Sequence, residues 1–90
     1  MSMTGMDVAA VRDMATKLQQ QADEIGHLIT TLDGLVNHSQ EVWRGKDASD
    51  FAGWWHNQHR PALHNAQQAI AGLSQSAKNN ASAQEAASGH

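Results

Sequence analysis

The sequence predicts an all-α fold: an antiparallel helix-turn-helix hairpin that pairs with a second hairpin to form a four-helix bundle. First, apolar residues recur at alternating spacings of three and four residues through the first half of the chain, which is typical of a helix packed along a coiled-coil-like stripe. Second, a glycine near the midpoint interrupts this pattern, and a helical period then resumes. Third, Ala, Gln and Leu are abundant and Tyr is absent, a composition that favours helix over strand.

The first helix is predicted over about residues 6–44. Thr4 and Asp7 stand at capping-box spacing at its start, and Asp7 suits the positive end of the helix dipole. The main apolar row consists of Val8, Val11, Ala15, Leu18, Ala22, Ile25, Ile29, Leu32 and Val36, and a second row, at multiples of seven, consists of Met14, Leu28, Leu35 and Val42. This face is broader than a two-stranded seam requires, which indicates a bundle of more than two helices.

The turn is predicted at residues 44–46. Gly45 can adopt the left-handed conformation that ends a helix, and Asp47 is a candidate N-cap for the next helix. A turn this short makes the two helices antiparallel neighbours. Trp43 lies seven residues after Val36 and continues the main row, where its simplest interpretation is an aromatic plug at the end of the bundle.

The second helix is predicted over about residues 47–78. Its periodic positions are mostly small: Ala48, Phe51, Ala52, Trp55, Ala62, Leu63, Ala66, Ile70, Leu73 and Ala77. Pro61 lies inside this pattern, and it predicts a kink near residues 57–61 because proline lacks an N–H and clashes with the preceding turn. Residues 79–90 are small and polar, which predicts a flexible tail. Residues 1–90 therefore form a single helical-hairpin domain.

The composition excludes several classes of function. The net charge is −3 and the six Lys and Arg residues are scattered, so the chain lacks the basic face of a nucleic-acid-binding protein. No apolar run approaches the roughly 18 residues of a membrane span, so we expect no stable membrane anchor. There is no cysteine, which excludes disulfides and thiolate zinc sites. The N-terminus lacks the pattern of a cleaved secretory signal peptide.

The histidines and the motif content argue against chemistry at a bound metal or a catalytic group. His56, His59 and His64 would spread over roughly 140° of an ideal helix, too wide for one metal ion. No nucleophile, P-loop or zinc-protease motif occurs, and a thin hairpin has no concave site of the usual size. We therefore expect no catalytic residues, no metal and no cofactor, and a protein that is not an enzyme.

The apolar pattern instead predicts contact surfaces. The predicted dimer seam consists of Val11, Leu18, Ile25, Leu32, Leu63, Ile70 and Leu73. Phe51 and Trp55 are predicted core aromatics. Trp54 is turned about 100° from Trp55 and is either a rim residue or a partner contact, since tryptophan is enriched at interfaces.

The length, the hairpin pattern and a central Trp43-Arg44-Gly45 together resemble the WXG family of ESAT-like substrates of the bacterial type VII (ESX) secretion system. Ala48, Phe51 and Trp55 resemble the small and aromatic positions that often follow this motif, and the resemblance covers roughly residues 4–85. It implies a four-helix bundle of two hairpins, a non-catalytic binding role, and secretion without a cleaved signal peptide.

The sequence departs from the family at its C-terminal end. Family export depends on a Tyr-x-x-x-Asp/Glu signal, which lies beside the Trp-x-Gly turn of the partner and forms with it a surface for the secretion ATPase. Here Ala81 stands where the tyrosine would precede Glu85, and the chain has no tyrosine. The resemblance therefore favours a heterodimer with a signal-bearing WXG-type partner over a homodimer. The alternative is an intracellular helical adaptor or chaperone for a larger secreted toxin.

Overall fold

The computed structural model describes residues 5–88, which form a helical hairpin measuring 67 × 17 × 16 Å. Helix α1 spans Val8–Val42, α2 spans Lys46–Trp54, a π-helical turn spans Trp55–His59, and α3 spans Arg60–Ser88. The segments from α2 to α3 follow one another without a break and return antiparallel along α1. No strand occurs within the described residues, so the predicted all-α hairpin is confirmed.

Helix α1 begins and ends slightly inside its predicted limits. The Asp7 side chain caps it by accepting a hydrogen bond from the Ala10 N–H at 3.0 Å, whereas Thr4 lies outside the described residues. At the other end, the Trp43 N–H still donates to the Ser39 carbonyl at 2.9 Å, but the Trp43 backbone is already extended. The turn therefore comprises Trp43, Arg44 and Gly45.

Gly45 lies in the turn, but it does not end α1 as the sequence predicted: Trp43 is the C-cap of α1, and Gly45 instead begins the next helix. Its φ of 105° is the only positive φ among residues 5–88, and this conformation favours glycine because it has no Cβ. Asp47 was predicted to be the N-cap, but Gly45 holds that position and its carbonyl accepts from the Ser49 N–H at 3.2 Å. Asp47 instead lies in the first turn of α2, where its charge still suits the helix dipole.

A π turn, Trp55–His59, lies just before Pro61, in the region where the sequence predicted a kink. The Arg60 N–H donates to the Trp55 carbonyl five residues earlier, immediately before Pro61. Proline cannot donate to the helix ladder and crowds the turn that precedes it, which makes this a favourable place for a widened turn.

The flexible tail expected from residue 79 is helical as far as the structure describes it. Helix α3 continues to Ser88, Ala81 is fully buried against α1, and Glu85 forms an ion pair with Arg12 at 2.8 Å. Small residues look like a disordered tail in sequence, but here they allow α3 to approach α1 closely.

A thin line of mostly small residues forms the interface between the two arms. The buried residues are Ala15, Ala22, Ile29 and Val36 on α1, and Ala48, Trp55, Ser74 and Ala81 on the returning arm. The Ser74 hydroxyl donates to the Ala15 carbonyl at 2.6 Å, so the two backbones are nearly in contact. The larger side chains of α1 are mostly left outside this line.

Candidate functional site

The Trp43 ring packs across the turn against Phe51. The ring centroids are 5.4 Å apart and the planes are tilted by 51°. Such a pair contributes about 0.5–1.5 kcal/mol beyond its buried area. Trp43 nevertheless keeps 42% of its surface exposed, and Phe51 is also exposed. In the single hairpin, Trp43 therefore covers the start of α2 and presents part of its ring to solvent.

The geometry of the turn follows from contacts on both sides of it. The Gln40 side-chain amide donates to the Ala48 carbonyl at 3.1 Å, which ties the end of α1 to the beginning of α2. Ala48 is buried, so the two helices meet closely just below the turn. The extended backbone of Trp43 then directs the chain away from α1. These constraints hold Trp43 against Phe51.

A second site lies below the turn, where Asp33 joins the two arms. The Trp55 indole N–H donates to Asp33 Oδ1 at 2.8 Å, and the Arg60 guanidinium donates to both carboxylate oxygens at 3.0–3.2 Å. The hydrogen bonds from Arg60 and then from Trp55 lower the pKa of Asp33, and Asp33 raises the pKa of Arg60. The carboxylate is therefore held in its charged form.

One long edge of the hairpin carries large apolar side chains that nothing covers. On α1, Met14, Leu28 and Leu35 each come one position before a buried residue. On the returning arm, Trp54 comes directly before the buried Trp55, and Leu73 directly before the buried Ser74. Residues related in this way on two facing antiparallel helices lie on the same side of the pair. We call this surface the apolar edge: Val11, Met14, Leu18, Ile25, Leu28, Leu32, Leu35 and Val42 of α1, with Phe51, Trp54, Leu63, Ile70 and Leu73 of the returning arm.

The apolar edge contains half-buried and exposed residues but no charge. Ile25, Leu32 and Leu63 are half-buried because they also pack against the internal cluster of Ile29, Val36 and Trp55. The outer residues are open, with Leu35 at 58% exposure. Patches of this kind on a monomer mark interaction sites.

The opposite edge is polar. Arg12 bonds Glu85 through both of its terminal nitrogens, at 2.8 and 3.3 Å, and Asp33 bonds Arg60 further along. The Arg12 contact lowers the pKa of Glu85. An exposed pair such as Arg12–Glu85 contributes little to stability, typically below about 1 kcal/mol. Together the two pairs distinguish this edge of the hairpin from the apolar edge.

Comparison with known protein families agrees with this geometry. The model of the WXG100 family, described as proteins of 100 residues with WXG, matches residues 4–87. The chain belongs to the WXG100 family. WXG100 proteins are small, non-enzymatic substrates of type VII secretion and typically pair with other WXG proteins. No curated protein and no solved structure matches the chain significantly.

In this WXG100 hairpin, the predicted site residues fall into three groups. Trp43, Arg44 and Gly45 form the turn itself. The predicted dimer seam lies on the apolar edge, where Val11, Leu18, Ile25, Leu32, Leu63 and Ile70 are half-buried and Leu73 is exposed. Of the two predicted core aromatics, Trp55 is buried. The prediction is wrong for Phe51, which is exposed because the single chain has nothing beyond the apolar edge to cover it.

Trp54 lies on the apolar edge beside Phe51 and is more than half exposed. Both interpretations of Trp54, as a rim residue or as a partner contact, agree with this position. A partner contact at Trp54 would be part of the apolar edge. The three central histidines are exposed, and residues 5–88 contain no group of three side chains arranged to hold a metal ion. Within the same span, no helix combines the length and apolar character that a membrane crossing requires.

Sequence reasoning did not find the role of Asp33 or of Arg60. Trp55 and Arg60 are five positions apart, which on an α-helix places them about 140° from each other. Only the π turn brings both side chains to one carboxylate. The one available signal was Pro61, which marked the position of the irregularity without showing its form.

Proposed function

We propose that this protein is exported by a type VII secretion system as a dimer, in which the Trp43-Arg44-Gly45 turn forms half of a composite export signal and a Tyr-x-x-x-Asp/Glu-bearing WXG100 partner supplies the other half. The chain acts by binding and not by catalysis. The observation that carries this proposal is the uncharged, uncovered apolar edge, which runs along the hairpin and ends beside the turn.

The energetics favour a partner on this edge. Burial of apolar surface stabilises an association by about 25 cal/mol per Å², and monomeric proteins rarely leave contiguous apolar patches larger than a few hundred Å². The core inside one hairpin consists mostly of alanine and serine, so the larger side chains of Met14, Leu28 and Leu35 are free to contact another molecule. A second hairpin laid along the edge gives the four-helix bundle expected from the sequence.

The C-terminal half of α3 supports a partner of a different sequence. Ala81 stands at the position of the signal tyrosine and is fully buried against α1, where a large ring has no room. Glu85, at the acidic position of the signal, is engaged by Arg12. This chain therefore uses the signal positions to close its own hairpin, which favours a heterodimer whose other member presents the tyrosine. The secretion ATPase is proposed to bind the surface that the turn of this chain and the tyrosine signal of the partner form together.

The test is co-expression with WXG100 proteins encoded nearby, followed by mass measurement of any complex and by assay of culture supernatant and cytosol. We expect a one-to-one complex in the supernatant, and secretion that requires the tyrosine of the partner. Retention of the chain in the cytosol, bound to a larger protein, would support the intracellular adaptor or chaperone function instead. Assembly with itself alone would show a homodimer and overturn the heterodimer.

A further inference from the structure

The π turn allows the buried residues of both α2 and α3 to face α1. Trp55 and Ser74 both face α1, since Trp55 bonds Asp33 and Ser74 bonds the Ala15 carbonyl. On an unbroken α-helix, at about 100° per residue, Ser74 would lie about 100° around the axis from Trp55. A π turn accommodates one additional residue, which removes this rotation. Both halves of the returning arm can then face α1.

The same correction keeps the apolar edge continuous. Trp54 and Leu73 each stand one position before a buried residue, so they lie on the same side of the arm only because the phase has been restored. Without the π turn, heptad spacing would continue the line from Phe51 and Trp54 into Gln58 and Pro61. Phe51 and Trp54 would then be separated from Leu63 and Leu73.

Asp33 is placed to hold this turn. Its carboxylate bonds the side chains of Trp55 and Arg60, the residue that opens the π turn and the residue that follows it. The backbone of the same two residues is joined by the hydrogen bond from the Arg60 N–H to the Trp55 carbonyl. In a regular α-helix these side chains would diverge, and one carboxylate on α1 would not reach both.

We propose that Asp33 is a positioning residue that holds the π turn through Trp55 and Arg60, and so keeps Phe51 and Trp54 on the apolar edge in line with Leu73. This inference rests on the proposed function in one respect, since it assigns the aligned edge to the docking of the partner hairpin.

The test compares Asp33→Ala with Glu85→Ala, which removes the other ion pair between the arms. Nuclear magnetic resonance of each variant reports the Arg60–Trp55 backbone hydrogen bond and the packing of Leu63 against the Ile29–Val36–Trp55 cluster. We expect both to be lost in Asp33→Ala and kept in Glu85→Ala, with helix content by circular dichroism nearly unchanged. Retention of both signals in Asp33→Ala would overturn the proposal, whether or not any partner binds.

Pairing is measured with the WXG100 partner recovered by co-expression and, in parallel, with the chain itself. Asp33→Ala should weaken pairing at least tenfold, and Glu85→Ala less than threefold. If Asp33→Ala does not fold, Arg60→Gln replaces it, because this variant keeps the bond from Trp55. If Asp33→Ala loses the Arg60–Trp55 hydrogen bond but pairs with unchanged affinity, the alignment of Phe51 and Trp54 with Leu73 does not serve partner binding. This result would overturn the inference and leave the proposed function intact.

Deletion of Gln58 provides a rescue. This deletion removes the additional residue, so an ordinary α-helix then has the correct phase without the support of Asp33. We expect the deletion alone to pair as the unmodified chain does, and the deletion combined with Asp33→Ala to recover pairing to within threefold. A combined variant that folds but pairs no better than Asp33→Ala would contradict the claim that Asp33 acts by keeping α2 and α3 aligned.

Discussion

Trp43 is the first residue of the turn and Phe51 lies in α2, and their ring centroids are 5.4 Å apart. Their contact explains why a large aromatic residue stands where the chain reverses. The Trp43 ring packs against Phe51 of α2, and 42% of the Trp43 surface stays exposed near the end of the apolar edge. A residue in this position is accessible to another protein and contributes only modestly to the stability of the hairpin.

The first prediction concerns Trp43→Ala. Loss of the ring pair should cost less than about 2 kcal/mol of stability, since such pairs are worth about 0.5–1.5 kcal/mol beyond burial. Export should nevertheless fall at least tenfold. Circular dichroism and a secretion assay on the same variant check both parts. A large loss of helicity in Trp43→Ala would show that the ring acts chiefly as a core plug.

The second prediction concerns the missing tyrosine. Ala81→Tyr should destabilise the hairpin, because overpacking a filled site costs typically 1–3 kcal/mol, and Ala81 is fully buried. Urea unfolding measures the change. Ala83→Tyr is the matched control, since Ala83 is an exposed alanine on the same helix and its replacement should be nearly neutral. Equal stability of the two variants would show that α3 is not closely packed at Ala81.

The third prediction concerns acid pH. The pKa of Asp33 is lower in the folded hairpin than in the unfolded chain, first because of Arg60 and then because of Trp55. Its contribution to stability is therefore present above the unfolded pKa, near 4, and is lost as the pH falls through the folded pKa. Asp33→Asn should flatten the decline of stability below about pH 4 while leaving little change in slope near neutrality. Thermal unfolding between pH 2 and 7 is the measurement.

The fourth prediction separates two glycines inside α1. A Cβ at Gly34 would meet nothing within 4 Å, so Gly34→Ala should stabilise the hairpin by up to about 1 kcal/mol through helix propensity. A Cβ at Gly26 would lie 2.8 Å from the Gln67 side-chain amide, which must move. Gly26→Ala should therefore gain clearly less. Denaturant midpoints of the two variants provide the comparison, and an equal gain would mean that Gln67 relaxes without cost.

The heptad spacing of Ile29, Val36 and their neighbours predicted the first helix, and Gly45 followed by a renewed helical period predicted the return of the chain. The spacing alone did not distinguish the apolar residues that close the hairpin from those that stay exposed on the apolar edge. Ala15 and Ala22 are small, and the close approach they allow is a property of the packed pair of helices. The bridge at Asp33 was beyond prediction for a related reason: it depends on a widened turn that brings together residues five positions apart.

The most direct test of pairing along the apolar edge is the mass of the complex formed by Leu35→Asp. Leu35 is exposed in the hairpin, so this change should leave the fold intact, whereas Ile25→Asp or Leu32→Asp would also disturb the internal core. Gln20→Asp, on an exposed α1 position outside the apolar edge, is the control. Each variant is co-expressed with the WXG100 partner, and we expect light scattering to show a folded monomer for Leu35→Asp and a one-to-one complex for Gln20→Asp. A folded Leu35→Asp hairpin that still pairs with full affinity would contradict the assignment of this edge as the docking surface.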